Sequence, residues 1–444
     1  MLGSAWFERR NSHENALRRM KVLLLNQCFW PDVVATAQQL NDLAGGLVER
    51  GHDVTVVCSD RGYDDQQLRF PRREHWHNVK IIRVRSIRAN KKSRFSRALN
   101  FASFSLACAF RLAVLPRQDV VVALTSPPLI SWLGAWFTRL KGGRMIFWVM
   151  DLNPDEAIAA GWLKPDTLTV KLLRALLQSS LRRAEKIIVL DRFVEQRIRA
   201  KGIPAEKIDV IPPWAHDDSV RFDAEGREAF RRAHKLTGKF VVMYAGNHSP
   251  CHPLDTVLAA AQELRTHYDI GFVFAGGGSE QHKVREFAHR NELENVLCLP
   301  YQPIEKLSAL LSAADLHVVV MGEPFVGIVH PSKIYNLLAI GSPFLYIGPA
   351  ESHLGDIIAR LRDSHSAFQV RHGEVHSVTR LIVDRAGAPG ASPTGGNPVT
   401  SSLAQEFSKA VLLPRLLAHV EAICARAPEA ETETAATKLQ SAVR

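Results

Sequence analysis

The 444-residue chain has no C-x-x-C pair and no zinc-ligand spacing. Its six cysteines (Cys28, Cys58, Cys108, Cys251, Cys298 and Cys424) lie mostly in apolar stretches. That pattern reads as reduced, buried thiols of a cytosolic protein and excludes a disulfide framework. No G-x-G-x-x-G follows the first apolar run, "KVLLLN" (21–26), because the next residues, "NQCFWPDVVATAQQL", hold no glycine. A dinucleotide-binding dehydrogenase needs those glycines for close approach of the pyrophosphate. G-x-x-x-x-G-K-[ST] is absent, which excludes a P-loop, and no D-x-D occurs to hold a Mg²⁺-bound nucleotide. Residues 1–19 lack the apolar core of a secretory signal. A long, largely apolar charge-free stretch, Val120–Thr138, is broken by Ser126-Pro127-Pro128 into a strand and a later helix, so it does not read as a membrane span.

Acidic residues are also in short supply: 45 against 56 lysines and arginines, a formal charge of +11. Such an excess predicts an anionic partner. Much of it sits in "IIRVRSIRANKKSRFSR" (81–97), with seven basic residues and no acidic one, followed by the apolar "ALNFASFSLACAF" (98–110). A basic run beside an apolar segment reads as a patch for an anionic membrane surface. The competing reading is a solvated loop before a core helix. Nucleic acid is not expected, since the run has only Phe95 to stack on bases.

The chain is long enough for two domains of roughly 200 residues. Apolar strands are expected at 21–26, 53–58, 79–84, 119–124, 144–149 and 186–190, then at 240–246, 271–277, 295–300, 315–321 and 344–348, with helical stretches between them. Strands apolar throughout and separated by helices imply parallel sheets covered on both faces. The expected fold is therefore α/β, two doubly wound, Rossmann-like domains facing a cleft. The boundaries read as an extension (1–19), an N-terminal domain (20–214) and a C-terminal domain (215–383). A flexible connection (384–402), a helical segment interrupted at Pro414 (403–427) and a disordered tail (428–444) follow.

Residues 323–343, "EPFVGIVHPSKIYNLLAIGSP", place Pro-Ser-Lys where a loop enters a helix. Glycines there allow close approach, a helix start offers backbone N–H groups, and Lys333 adds a full charge; together they suit a phosphate. The plain alternative makes Ser332 an N-cap and Lys333 a solvated first-turn residue, although lysine is unfavourable there.

"HPSKIYNLLAIGSPFLYIGP", "YAGNHSP", "FVFAGGG" and "LSALLSAADLHVV" together resemble the group 1 glycosyltransferases, as does the opening "FWPDVVATAQQLNDLAGGLVERGHDVTVVCS". The resemblance spans about 20–360 and lies nearest the branch that makes capsule, colanic-acid-like and other bacterial envelope glycans. It implies the GT-B fold and a retaining, metal-independent enzyme whose substrate is a nucleotide diphosphate sugar. Lys333, Ser332 and Gly327 would then hold the donor diphosphate and sugar, with Glu323 on the sugar hydroxyls. The family commonly carries two glutamates eight positions apart around this loop; here Ile328 and Asn336 stand instead, leaving Asn336 an uncharged partner for the ribose. A second anion site is implied at Gly246, Asn247, His248 and Ser249, where the family's arginine and lysine are missing. His248 and His252 offer neutral hydrogen bonds or imidazolium charge instead. As metal ligands the two would need a helical face that Pro250 and Pro253 break. The nucleobase would lie near Gly276, Gly277, Gly278 and Tyr301.

On the acceptor side the resemblance points to Trp30 and to "WVMDLNPDEAIAAGW", with Asp151 orienting the acceptor hydroxyl and Asn153 and Asp155 near it. Helix capping alone would also account for two of these polar residues. The implied activity is transfer of a hexose or N-acetylhexosamine to a lipid-linked or oligosaccharide acceptor at the inner face of the cell membrane. A nucleotide-sugar epimerase and a non-catalytic nucleotide-sugar-binding partner of an envelope assembly complex remain alternatives.

Overall fold

The computed structural model describes residues 19–62, 66–87, 94–215, 220–361, 365–388 and 398–425. The expected extension and tail, the basic residues 88–93 and the middle of the 384–402 connection lie largely or wholly outside these.

Among the described residues, fourteen strands form two sheets. The first half of the chain supplies β1 (Lys21–Leu25), β2 (Asp53–Ser59), β3 (Arg73–Trp76), β4 (Val79–Val84), β5 (Val120–Ala123), β6 (Arg144–Val149), β7 (Lys186–Val189) and β8 (Ile208–Val210). The second supplies β9 (Phe240–Ala245), β10 (Ile270–Ala275), β11 (Val296–Leu299), β12 (Leu316–Val320), β13 (Phe344–Ile347) and β14 (Ala367–Val370). The orders are β3-β4-β2-β1-β5-β6-β7-β8 and β11-β10-β9-β12-β13-β14. All pairings are parallel except β3 with β4. Runs such as "VVVA" and "LHVVV" are buried at every position because helices cover both faces.

The expected fold is present, with three strands added. β3 and β4 join through His77 and Asn78, both at positive φ, a two-residue hairpin turn. β8 is three residues long, and β14 contains a glutamine. The connection and final helix also differ from expectation. Residues to Ala386 and from Pro398 are helical, and the C-terminal segment is two helices, Pro398–Glu406 and Lys409–Ala425, with Pro414 inside the second. That last helix returns to the first domain. Leu412, Leu416, Leu417, Val420 and Ile423 enter its core, and a Cβ on Gly46 would stand 2.8 Å from Leu417. Lys409 pairs with Asp42 at 2.8 Å and Arg50 with Glu421 at 2.6 Å.

Strand order reverses between β1 and β5 in one sheet and between β9 and β12 in the other, and ligands bind beyond the carboxyl ends of strands at such points. In the second sheet, that point is flanked by the loop after Ala245 and the loop leading to Lys333. Among the described residues, no helix is long and apolar enough to cross a membrane.

Candidate active site

Lys333 opens the helix Lys333–Ile340, which ends on left-handed Gly341. Ser332 has helical dihedrals and its side chain makes no cap, so the N-cap reading fails. Lys333 is not a solvated first-turn residue either. Its stem is half-buried, but Nζ is shut off from solvent without a hydrogen-bond partner and lies 3.6 Å from the centroid of the Tyr244 ring. Burial pushes its pKa down to about 7. The ring face returns part of that cost.

The backbone makes room for the ammonium. Gly246 has φ +139°, and a Cβ there would stand 3.0 Å from Nζ. Beneath it, Gly276 packs so closely that a Cβ would lie 2.0 Å from the Gly246 carbonyl oxygen. The His248 N–H donates to the Gly277 carbonyl at 2.7 Å. His248 itself is fully buried, edge-on to Tyr244 at 5.0 Å, and neither ring nitrogen has a partner. Burial, then the charge of Lys333, holds its pKa near 4, so the ring is neutral at pH 7. His252 is held near 3 for the same two reasons, and its Nδ1 bonds the Val320 carbonyl at 2.7 Å. In the unliganded protein this grip therefore combines one lysine with neutral hydrogen-bonding groups and carries no imidazolium charge. Three buried nitrogens thus surround one phenol ring at the mouth of the crevice, and a buried polar atom without a partner is costly unless a ligand supplies one.

The remaining expected donor residues are partly assembled. Asn247 is exposed, with its carbonyl accepting from the Tyr244 hydroxyl at 2.6 Å, and Ser249 is half-buried. Gly278 touches the Asn247 side chain, while Tyr301 is half-exposed with its ring over Gly277. Asn336 sits one turn beyond Lys333 on the same helix, and Glu323 is exposed on the short turn Glu323–Phe325. Gly327 departs from expectation. A Cβ there would strike the Phe193 carbonyl at 2.6 Å, so its close approach is to the opposite domain.

Across the cleft, Asp151 follows β6. Burial, then the neighbouring Glu156 carboxylate, pushes its pKa up to about 8, and burial raises Glu156 too, so the pair holds a proton near neutral pH. Asn153 is not at the acceptor surface alone: its amide donates to Glu156 at 2.9 Å. Asp155 is turned to Lys201 in a 2.9 Å ion pair, so Glu156 is the acidic partner of Asp151. Helix Asp155–Ala159 packs against the turn Glu323–Phe325, which closes this side of the cleft. Trp30 stacks on Trp76 at 6.0 Å, its carbonyl accepting from Arg83 at 2.7 Å. Arg83 is consequently buried, which removes it from the expected membrane patch.

Asp191, His330 and His353 form the one grouping among the described residues with three possible metal ligands, their atoms within 4.8 Å of one another. The two imidazoles stack face to face at 3.8 Å, so their lone pairs run side by side and do not converge. His330 already uses both nitrogens, on Asp191 and on Tyr335, each at 2.7 Å. A metal would require ring rotation.

Residues 35–214 match the glycosyl transferase 4-like domain and residues 226–330 the glycosyl transferases group 1 domain. The chain is a glycosyltransferase of the group 1 type. This glycosyltransferase is 24% identical over 352 residues to WcaI of Escherichia coli K12, named as a colanic acid biosynthesis glycosyl transferase (76% of this chain, 86% of WcaI). It is 26% identical over 336 residues to WbjE of Pseudomonas aeruginosa, named as a glycosyltransferase (75% and 82%). Its GT-B fold matches the crystal structure of Anabaena HepE in complex with UDP-glucose, with TM-score 0.64 and 15% identity over 90% of this chain and 99% of HepE. Sequence reasoning missed Tyr244, Asp191, His330 and Tyr335. Only Asp191 left a signal, as the acidic residue between β7 and a helical pattern.

Proposed function

We propose that this glycosyltransferase is retaining and metal-independent, and moves a hexose or N-acetylhexosamine from a nucleotide diphosphate sugar to a lipid-linked envelope-polysaccharide intermediate. The observation that carries the donor half is the sealed, unpartnered Nζ of Lys333 beside the unpartnered nitrogens of His248. A diphosphate would supply acceptors for the ammonium and for the single N–H of the neutral imidazole. As the glycosidic C–O bond to phosphate breaks, charge gathers on the departing diphosphate, where a preorganised ammonium lowers the barrier. The protonated Asp151 would donate a hydrogen bond that orients the acceptor, and the departing phosphate would take the acceptor proton. WcaI, named for colanic acid biosynthesis, and HepE, solved with UDP-glucose, support the substrate class.

The membrane half rests on helices Arg94–Val114, Ile130–Lys141 and Leu168–Arg183, which pack side by side without a single acidic residue. On the first, Phe104, Cys108 and Leu112 face the core while Leu106, Phe110 and Val114 are 65–78% exposed. Leu140, Leu168 and Leu172 extend the exposed apolar set on the other two. The core-helix reading accounts for the buried face of the first helix, and the exposed apolar face is what supports the membrane reading. Apolar side chains ringed by basic ones suit the inner leaflet. Incubating purified protein with radiolabelled UDP-, GDP-, ADP- and dTDP-sugars and a membrane extract tests the proposal. Label passing from one nucleotide class into the lipid fraction supports it, and label interconverted between free nucleotide sugars would make the protein an epimerase.

A further inference from the structure

The loop that delivers Lys333 is held by the opposite domain. Val326 accepts from Arg197 Nε at 2.6 Å, Ile328 accepts from the Leu152 N–H at 2.9 Å, and the Ile328 side chain lies in the core of the N-terminal domain. The next residue but one, His330, meets Asp191 at the end of β7. One Asp191 oxygen caps helix Arg192–Ala200, accepting from the Phe193 and Val194 N–H groups at 2.8 and 2.9 Å. Its other oxygen takes the 2.7 Å bond from His330 Nδ1. His330 Nε2 then bonds the hydroxyl of Tyr335, on the helix that Lys333 begins. His330 and Tyr335 bracket Pro331-Ser332-Lys333, with His353 stacked behind. All four side chains are buried.

We propose that Asp191 is a positioning residue of the donor site: acting through His330, it fixes the bracket that aims Lys333, so that diphosphate binding depends on a carboxylate of the other domain. The inference rests on the donor reading of Lys333. A hydrogen bond to an ionised carboxylate holds its geometry more tightly than one to a neutral acceptor, and an ammonium misplaced by even half an ångström grips phosphate poorly.

Asp191→Asn separates the two duties of this residue. Asparagine caps helices as well as aspartate does, but it offers His330 an uncharged acceptor. The dissociation constant for inorganic pyrophosphate, measured by calorimetry on the full chain, is expected to rise about tenfold, while Tm moves by no more than about 3 °C. Arg192→Gln is the control, since it removes a different interdomain pair, Arg192–Asp356 at 2.7 Å. It is expected to change pyrophosphate affinity less than about twofold. Should Asp191→Asn not fold, His330→Gln carries the same expectation. Unchanged affinity in the Asp191 or His330 variant, with affinity lost in Lys333→Ala, would overturn the positioning role and leave the donor site standing. An equal loss in Arg192→Gln would reduce Asp191 to a general domain fastening and overturn it too. Unchanged affinity in Lys333→Ala as well would remove the donor reading itself.

Discussion

Replacing Lys333 by methionine should make the unliganded protein more stable and the enzyme nearly inactive. Among the described residues the ammonium has no counter-ion, and burial has moved its pKa from 10.5 to about 7. A shift of that size corresponds to at most about 5 kcal/mol. The Tyr244 ring and the half-exposed stem reduce the expected net cost to about 1–3 kcal/mol. Because the folded value lies below the unfolded one, the unfolded chain binds the extra proton between them. The penalty is therefore full below pH 7 and fades as pH rises towards 10.5. Methionine carries no charge to bury and has similar length. Its Tm should exceed that of the wild type by about 2–8 °C at pH 6.5, with the gap closing as pH approaches 10. Turnover should fall about 10²–10³-fold, as when a charge-stabilising donor is lost. Scanning fluorimetry across pH and a steady-state assay suffice. A lower Tm, a gap that does not close with pH, or turnover within about threefold of wild type would refute the reasoning.

The same lysine makes donor affinity pH-dependent: a bound diphosphate favours the protonated form, so affinity should decline above pH 7, and a flat profile to pH 9 would place the diphosphate elsewhere. Asp151→Asn should retain turnover within about fivefold because an amide donates a hydrogen bond as a protonated carboxyl would, whereas Asp151→Ala should lose more; an inactive asparagine variant would make Asp151 a charged base. Leu106→Glu with Phe110→Glu should abolish co-sedimentation with phosphatidylglycerol vesicles, and unchanged sedimentation would remove the membrane surface from the account. EDTA should leave turnover intact, and its loss would direct attention to Asp191, His330 and His353.

The strands and their order along the chain were legible because apolar runs between helical patterns have few other solutions. "REHW", "IDV" and "AFQV" escaped because a short edge strand, polar or only partly apolar, carries no period to read. Lys333 and His248 were legible as residues of two loops at the ends of neighbouring strands. Their electrostatics were not, because the neutrality of His248 comes from burial and from a lysine 85 positions away, which only the fold brings near. Asp155 and Arg83 were misread for a related reason. A charged residue in an acidic or basic run looks available in sequence, yet Lys201 neutralises the first and Glu74 with two backbone carbonyls encloses the second. Contacts between domains, including the bond from Asp191 to His330, have no local sequence pattern at all.

The most direct test of the donor site is a thermal-shift comparison of wild type and Lys333→Met against UDP-, GDP-, ADP- and dTDP-sugars, since a ligand selective for the folded state raises Tm. One nucleotide class is expected to stabilise the wild type and fail to stabilise the variant. Equal stabilisation of both proteins, or of neither by any class, would contradict that expectation.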